Sequence, residues 1–209
     1  MSAVDPPHAT RSRENTRARL MAAASEVFAE SGFDGASVEE ICERAGFTRG
    51  AFYSNFASKD DLFFALANQF AEHNLEQVVS RMRELELEPR RYRGPAEIVE
   101  HVLESTNDAP GVVLVSEIRT NAMRDERLAA AYVAWQEAMV DRVAEILRTV
   151  CTIYGLRLRV PVSEAAWLFV QIGEACSMHV VIARLDAEAA RRLITSRTSM
   201  LAELIADAA

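Results

Sequence analysis

Lysine is nearly missing from this chain, with Lys59 alone among 209 residues, and glycine and proline are scarce at 8 and 6. These breakers cluster between long stretches of 3.6-type apolar periodicity instead of interrupting them, and strand-like alternation bounded by turn residues is absent over any useful length. The chain therefore reads as all-α. Three cysteines, Cys42, Cys151 and Cys176, are too few and too widely spaced for a disulfide framework, and each falls in an apolar-periodic stretch, as expected of reduced core thiols. The longest unbroken apolar run, Leu128 to Trp135, is eight residues, against the roughly 20 that cross a bilayer, so no membrane partner is expected. Met1 to Thr10 carries Asp5, two prolines and His8 where a secretory signal would be apolar, and a cytoplasmic location is expected. The chain also lacks a P-loop, a G-x-S-x-G elbow, an H-E-x-x-H pair and a dinucleotide fingerprint. No cofactor is expected, and an all-helical enzyme or carrier is the disfavoured rival class.

Charge is the next informative quantity. With 23 basic and 31 acidic residues the net is −8, which taken whole argues against a polyanion partner. Its distribution reverses that inference. Residues 11–19 hold Arg11, Arg13, Arg17 and Arg19 against Glu14 alone, and Arg44 to Lys59 contains three cations and no acid. Residues 61–209 carry 16 basic and 22 acidic groups, so most of the acidic surplus lies downstream.

Periodicity predicts a polar, disordered tail over 1–12 and a first helix from about 13 to 30, ended by Gly32 with Phe33 tucked back. Ser37 and Glu40 form a capping box that opens a two-turn helix ending at Gly46. Thr48 caps a third short helix whose buried edge is Phe52 and Phe56, and Ser58 with Asp61 opens a long helix to about 87. The segment 88–95 is the clearest loop, and further helices are expected at 96–107, 112–123, 126–153, 162–184 and 187–207. The domain division is 13–60 followed by 61–209, with the helix at 58–87 joining the two.

Two short helices joined by Ala45-Gly46-Phe47, the second free of acids, are the pattern of a helix-turn-helix. A recognition helix needs a face of small or hydrogen-bonding groups so that its backbone can approach base edges; Thr48, Arg49, Gly50, Ala51, Ser54 and Asn55 supply one. Arg49 could read guanine and Asn55 an adenine or a phosphate. Thr48 and Tyr53 offer hydroxyls to phosphate oxygens, Lys59 adds a cation, and Ser37 presents a helix N-terminus.

The run Ser37-Val38-Glu39-Glu40-Ile41-Cys42-Glu43-Arg44-Ala45-Gly46-Phe47-Thr48-Arg49-Gly50-Ala51-Phe52-Tyr53-Ser54-Asn55-Phe56, followed by Ser58-Lys59-Asp60-Asp61-Leu62, resembles the TetR family of bacterial one-component transcriptional regulators over about residues 13–66. The resemblance implies an N-terminal three-helix helix-turn-helix DNA-binding domain plus a C-terminal helical domain for ligand binding and dimerisation. It places Ser37, Thr48, Arg49, Gly50, Tyr53, Asn55 and Lys59 on DNA-contacting positions and Arg17 on a phosphate-contacting one. Asn55 departs from the family, where many relatives carry histidine. The implied partners are a double-stranded DNA operator of two-fold symmetry, a small-molecule effector and a second copy of the chain. A ligand-released repressor is the leading reading, with an activator or a ligand-independent regulator sharing the same DNA-binding residues.

Downstream, the helix at 162–184 is apolar almost all the way round and must be covered on more than one side. One face carries Trp167, Gln171, Glu174 and Met178 and is expected to line a ligand cavity, with bonding across a dimer interface as the alternative. The other, with Leu168, Ile172, Ala175, Cys176 and His179, is expected to meet a partner subunit. Tyr132, Trp135 and Met139 form a stripe on the preceding helix that is either ligand box or plain core. His101, with Glu97 one turn earlier, and Arg119 complete the ligand candidates; Glu97 and His101 alone are too few for a metal site. An apolar cation against Trp135, Trp167 and Glu174, an acyl chain or neutral aromatic, and a carboxylate on Arg119 all remain open as ligands.

Overall fold

A computed structural model of the chain describes residues 7–87, 94–102 and 109–208. They form nine helices, α1 (Pro7–Gly35), α2 (Val38–Ala45), α3 (Arg49–Tyr53), α4 (Lys59–Leu87), α5 (Pro95–Val102), α6 (Ala109–Ala122), α7 (Glu126–Tyr154), α8 (Val162–Ile182) and α9 (Ala187–Ile205), and a two-stranded ribbon, β1 (Leu156–Leu158) with β2 (Ala206–Ala208). The chain divides into two compact units, Met1–Gln69 and Phe70–Ala209, a boundary that falls inside α4 and nine residues beyond the sequence-based one.

In the first unit, α1 starts at Pro7, six residues before the expected helix start; residues 1–6 of the expected tail lie outside the described residues. Gly32, at φ 72°, breaks the helix, and Phe33 folds back to meet Phe28 at 5.7 Å and Phe63 edge-on at 5.0 Å. Leu20, Val27, Ile41, Phe52, Phe56 and Leu62 complete a fully buried core. The caps are those the sequence announces. Glu40 N–H donates to Ser37 Oγ, Ala51 N–H to Thr48 Oγ1 and Asp61 N–H to Ser58 Oγ, while Asp61 Oδ2 accepts in return from Ala57 N–H. Gly46 holds the left-handed conformation, φ 71°, that a Cβ would strain, and the turn closes with Phe47 N–H on Cys42 C=O.

In the second unit, α6, α7 and α8 pack on one another, α8 also packs on α9, and α9 on α5. α6 begins three residues early because Pro110 is tolerated in a first helical turn. α5 is described as far as Val102; the rest of the expected helix to 107 lies outside the described residues, as do 88–93 of the expected loop. The all-helical reading holds, with a short ribbon added to it. Leu156 pairs with Ala208 and Leu158 with Ala206, so the last helix stops at Ile205, and Arg159 forks onto the Asp207 carboxylate across the ribbon. Three-residue strands are too short to leave an alternation signal. α8 is long and apolar enough, by length and composition alone, to cross a membrane. A count of unbroken apolar residues misses this because Gln171, Glu174 and His179 interrupt the run.

Candidate nucleic-acid interface

α2 and α3 meet across the Gly46 turn, which sets α3 with Phe52 inward and Thr48, Arg49, Gly50, Tyr53 and Ser54 exposed. Ala51 and Asn55 are half-buried at its flank, and Ser37 is exposed at the start of α2. Gly50 would set an added Cβ 3.7 Å from Thr48 Oγ1, an ordinary contact, so internal packing does not require glycine there. The residue leaves the backbone bare on the exposed face.

Several of the expected contacts are engaged within the unit. Arg49 is not the free cation that an acid-free helix suggests: its Nη1 lies 2.7 Å from Glu39 Oε1 in the first turn of α2. Asn55 turns its amide inward, Nδ2 donating to Ala51 C=O at 2.8 Å and to Ser54 Oγ at 3.2 Å, while its Oδ1 is buried without a partner. Arg17 donates to Asn55 C=O at 3.0 Å and lies 4.2 Å from the Phe56 ring centroid, tying α1 to the end of α3. Lys59 donates to the carbonyls of Phe33 and Ala36 at 2.6 and 2.8 Å with its ammonium 4.4 Å from the Phe33 ring centroid. Its first duty is therefore to hold the turn after α1 together. Sequence reasoning missed Arg13, which donates to Ser54 C=O, and Arg19, which donates to Ala45 C=O beneath the turn. Both carbonyls end short helices, where a guanidinium satisfies an orphan acceptor, and the arginine-rich run at 11–19 was the available signal. Arg44 grips Glu30 through two bonds of 2.6 and 2.7 Å and holds that carboxyl below its usual range.

The second unit brings together part of the expected ligand set. Arg119 of α6 reaches Glu174 Oε2 of α8 at 3.5 Å and Met178 Sδ at 3.4 Å, and the Tyr132 and Trp135 rings of α7 lie tilted to each other at 5.9 Å. Burial raises the Tyr132 hydroxyl, reinforced by Glu174, and burial also raises Glu174, opposed by Arg119. Gln171 is half-buried one turn before Glu174, and Met139 half-buried one turn beyond Trp135. Trp167 stands apart at 48% exposure, because sharing a helix face does not fix how far along that face the covering helices reach. His101 lies in the last turn of α5, which packs chiefly on α9. On the other face of α8, Ile172, Ala175, Cys176 and His179 line an open apolar groove of about 470 Å³ with Leu193 and Met200 of α9, while Leu168 packs against the cluster of Ala165, Leu201 and Ile205. Burial raises the thiols of Cys42, Cys151 and Cys176, as expected of packing groups.

Residues 20–66 match the family described as bacterial regulatory proteins, tetR family. Over that N-terminal stretch the chain is similar to the TetR family. Among similar proteins, the transcriptional activator FasR of Mycolicibacterium smegmatis is 28% identical over 135 residues, covering 65% of this chain and 60% of that protein. The transcriptional regulator UidR of Escherichia coli is 31% identical over 141 residues, covering 64% of this chain and 65% of that one. The chain thus spans less than two thirds of the length of these relatives. A TetR-family structure from a Rhodococcus species superposes with a TM-score of 0.72 at 16% identity, covering 90% of this chain and 99% of that one, a likeness of fold. The TetR match ends at residue 66, just before the boundary of the first unit, and leaves the groups of the second unit to be read from their own chemistry.

Proposed function

We propose that this protein is a cytoplasmic homodimeric TetR-family transcription regulator that binds a two-fold symmetric DNA operator through α2 and α3 and is released by a small molecule held in its second unit. The observation that carries the reading is the exposed face of α3. Thr48, Arg49, Gly50, Tyr53 and Ser54 stand outward over a buried Phe52, a small and hydrogen-bonding surface of the kind that enters a major groove. Ser37 and Thr48 add capped helix starts for phosphate contact, and Lys59 and Arg17 stiffen the frame beside them. Dimerisation is supported by α8 and α9, whose Ile182, Met200 and Leu204 are exposed beside the apolar groove. Two such helices from each copy would cover that surface as a four-helix contact.

Repression is the simplest output, since an occupied operator can exclude polymerase without any further surface. Release then requires the effector to favour a form in which the two recognition helices no longer fit adjacent half-sites, with coupling of about 1–3 kcal/mol. Activation is the second reading, favoured by the name of FasR. The test is binding of the purified protein to DNA flanking its own gene at two salt concentrations, beside R49A/Y53F. A sequence-selective, salt-sensitive shift lost in the variant supports the reading; no selective shift overturns it. Expression of the target operon in a deletion strain separates repressor from activator.

A further inference from the structure

Hydrogen-bonding groups are unevenly matched among α6, α7 and α8. The Trp135 indole nitrogen and the Gln171 amide nitrogen are buried without a hydrogen-bond partner, and the Tyr132 hydroxyl, on a residue only 8% exposed, has Arg119 as its hydrogen-bonding neighbour, which leaves its own proton to be donated. Arg119 adds a guanidinium whose contacts here, 3.5 Å to Glu174 and 3.4 Å to a thioether sulfur, are long for a charged donor. These residues are linked: the Tyr132 and Trp135 rings lie tilted at 5.9 Å, the Tyr132 hydroxyl bonds with Arg119 and feels the Glu174 charge, and Gln171 precedes Glu174 by one turn of α8. Buried donors left unpaired are costly, and in a native protein such groups are met by ordered water or by a bound group.

We propose that this cluster binds the carboxylate of a small apolar acid, with Arg119 as its ion partner and Trp135, Gln171 and Tyr132 as neutral donors. The proposal rests on the reading of the second unit as an effector domain. The donor surplus selects the charge. An ammonium would add donors to a set already rich in them and would face Arg119, leaving Glu174 as its partner. A phosphate dianion would meet a single guanidinium with a carboxyl beside it. A carboxylate instead takes up the arginine and the neutral donors together. Burial already biases Glu174 toward its neutral form, in which it too can donate a hydrogen bond. The paired Tyr132 and Trp135 rings and Met178 give an apolar body something to lie against.

The experiment is calorimetric titration of the full chain with 4-phenylbutyrate, 4-phenylbutylamine and 4-phenyl-1-butanol, repeated on R119M and Q171L, with DNA binding followed in parallel. The carboxylate should bind about tenfold or more tighter than either analogue, as charge-assisted pairing implies, and R119M should remove that preference. Q171L, which leaves the charges in place, should weaken the carboxylate by a smaller factor. Preference for the amine, equal binding of all three, no binding of the carboxylate, or an R119M variant that keeps the preference would each overturn the site. Carboxylate binding that depends on Arg119 but leaves DNA binding unchanged supports the site and overturns its role as the effector switch alone.

Discussion

The Arg49 guanidinium stands 2.7 Å from the Glu39 carboxylate, so the cation proposed to read bases from α3 is shared with the first turn of α2. Both side chains are more than half exposed, and an exposed pair contributes about 0–1 kcal/mol. DNA can therefore take Arg49 from Glu39 at little cost, and Glu39 repels phosphates that approach without a base partner.

Glu39→Gln should accordingly raise affinity for random DNA by a few-fold while changing operator affinity less, lowering the ratio of the two. Fluorescence anisotropy with operator and scrambled duplexes reads this directly; an unchanged ratio would separate Glu39 from discrimination.

Arg49→Ala should cost about 1–3 kcal/mol of operator binding if the arginine pairs with a guanine edge, with the loss confined to substitutions at one base position of each half-site. A uniform loss across all duplexes with a shallower salt dependence would make Arg49 a phosphate contact instead.

Thr48→Ala removes the acceptor for Ala51 N–H at the start of a five-residue helix, and should lower stability by about 1 kcal/mol, measured by urea unfolding. Gly46→Ala should also destabilise, because its φ of 71° is strained for any residue with a Cβ.

Glu174 gives a pH prediction. Burial raises its folded carboxyl above the ordinary value, outweighing Arg119, so the folded state holds the proton more tightly than the unfolded chain. The stability tied to this group is present at pH below the ordinary carboxylate range and is lost as pH rises through the raised value. Glu174→Gln stays neutral throughout. Its melting temperature should exceed that of the wild type at pH 8, and the gap should close toward pH 4.

The N-terminal unit was legible because its signals are local. Ser37, Gly46, Thr48 and Ser58 each announce a cap or turn within four residues, and the apolar spacing of Phe52 and Phe56 fixes the inward edge of α3. What the sequence hid was partnership across distance. That Arg17 meets Asn55, Lys59 meets Phe33, and Arg49 meets Glu39 depends on how helices pack, which spacing does not encode. In the second unit, Arg119 meets Glu174 and Met178 on one face of α8, while Trp167 on the same face is 48% exposed; helical phase gives the face and not how far along it the neighbouring helices reach. The ribbon escaped because its strands are three residues each and pair between distant parts of the chain.

Because Lys59 is the sole lysine and its ammonium is spent on the Phe33 and Ala36 carbonyls, amine-directed acylation becomes a reporter built into the native protein. Apart from the α-amino group, any acyl mass found on a side-chain amine comes from this one position. The rate at which it accumulates reads how often the turn after α1 opens, with no label, tag or substitution introduced.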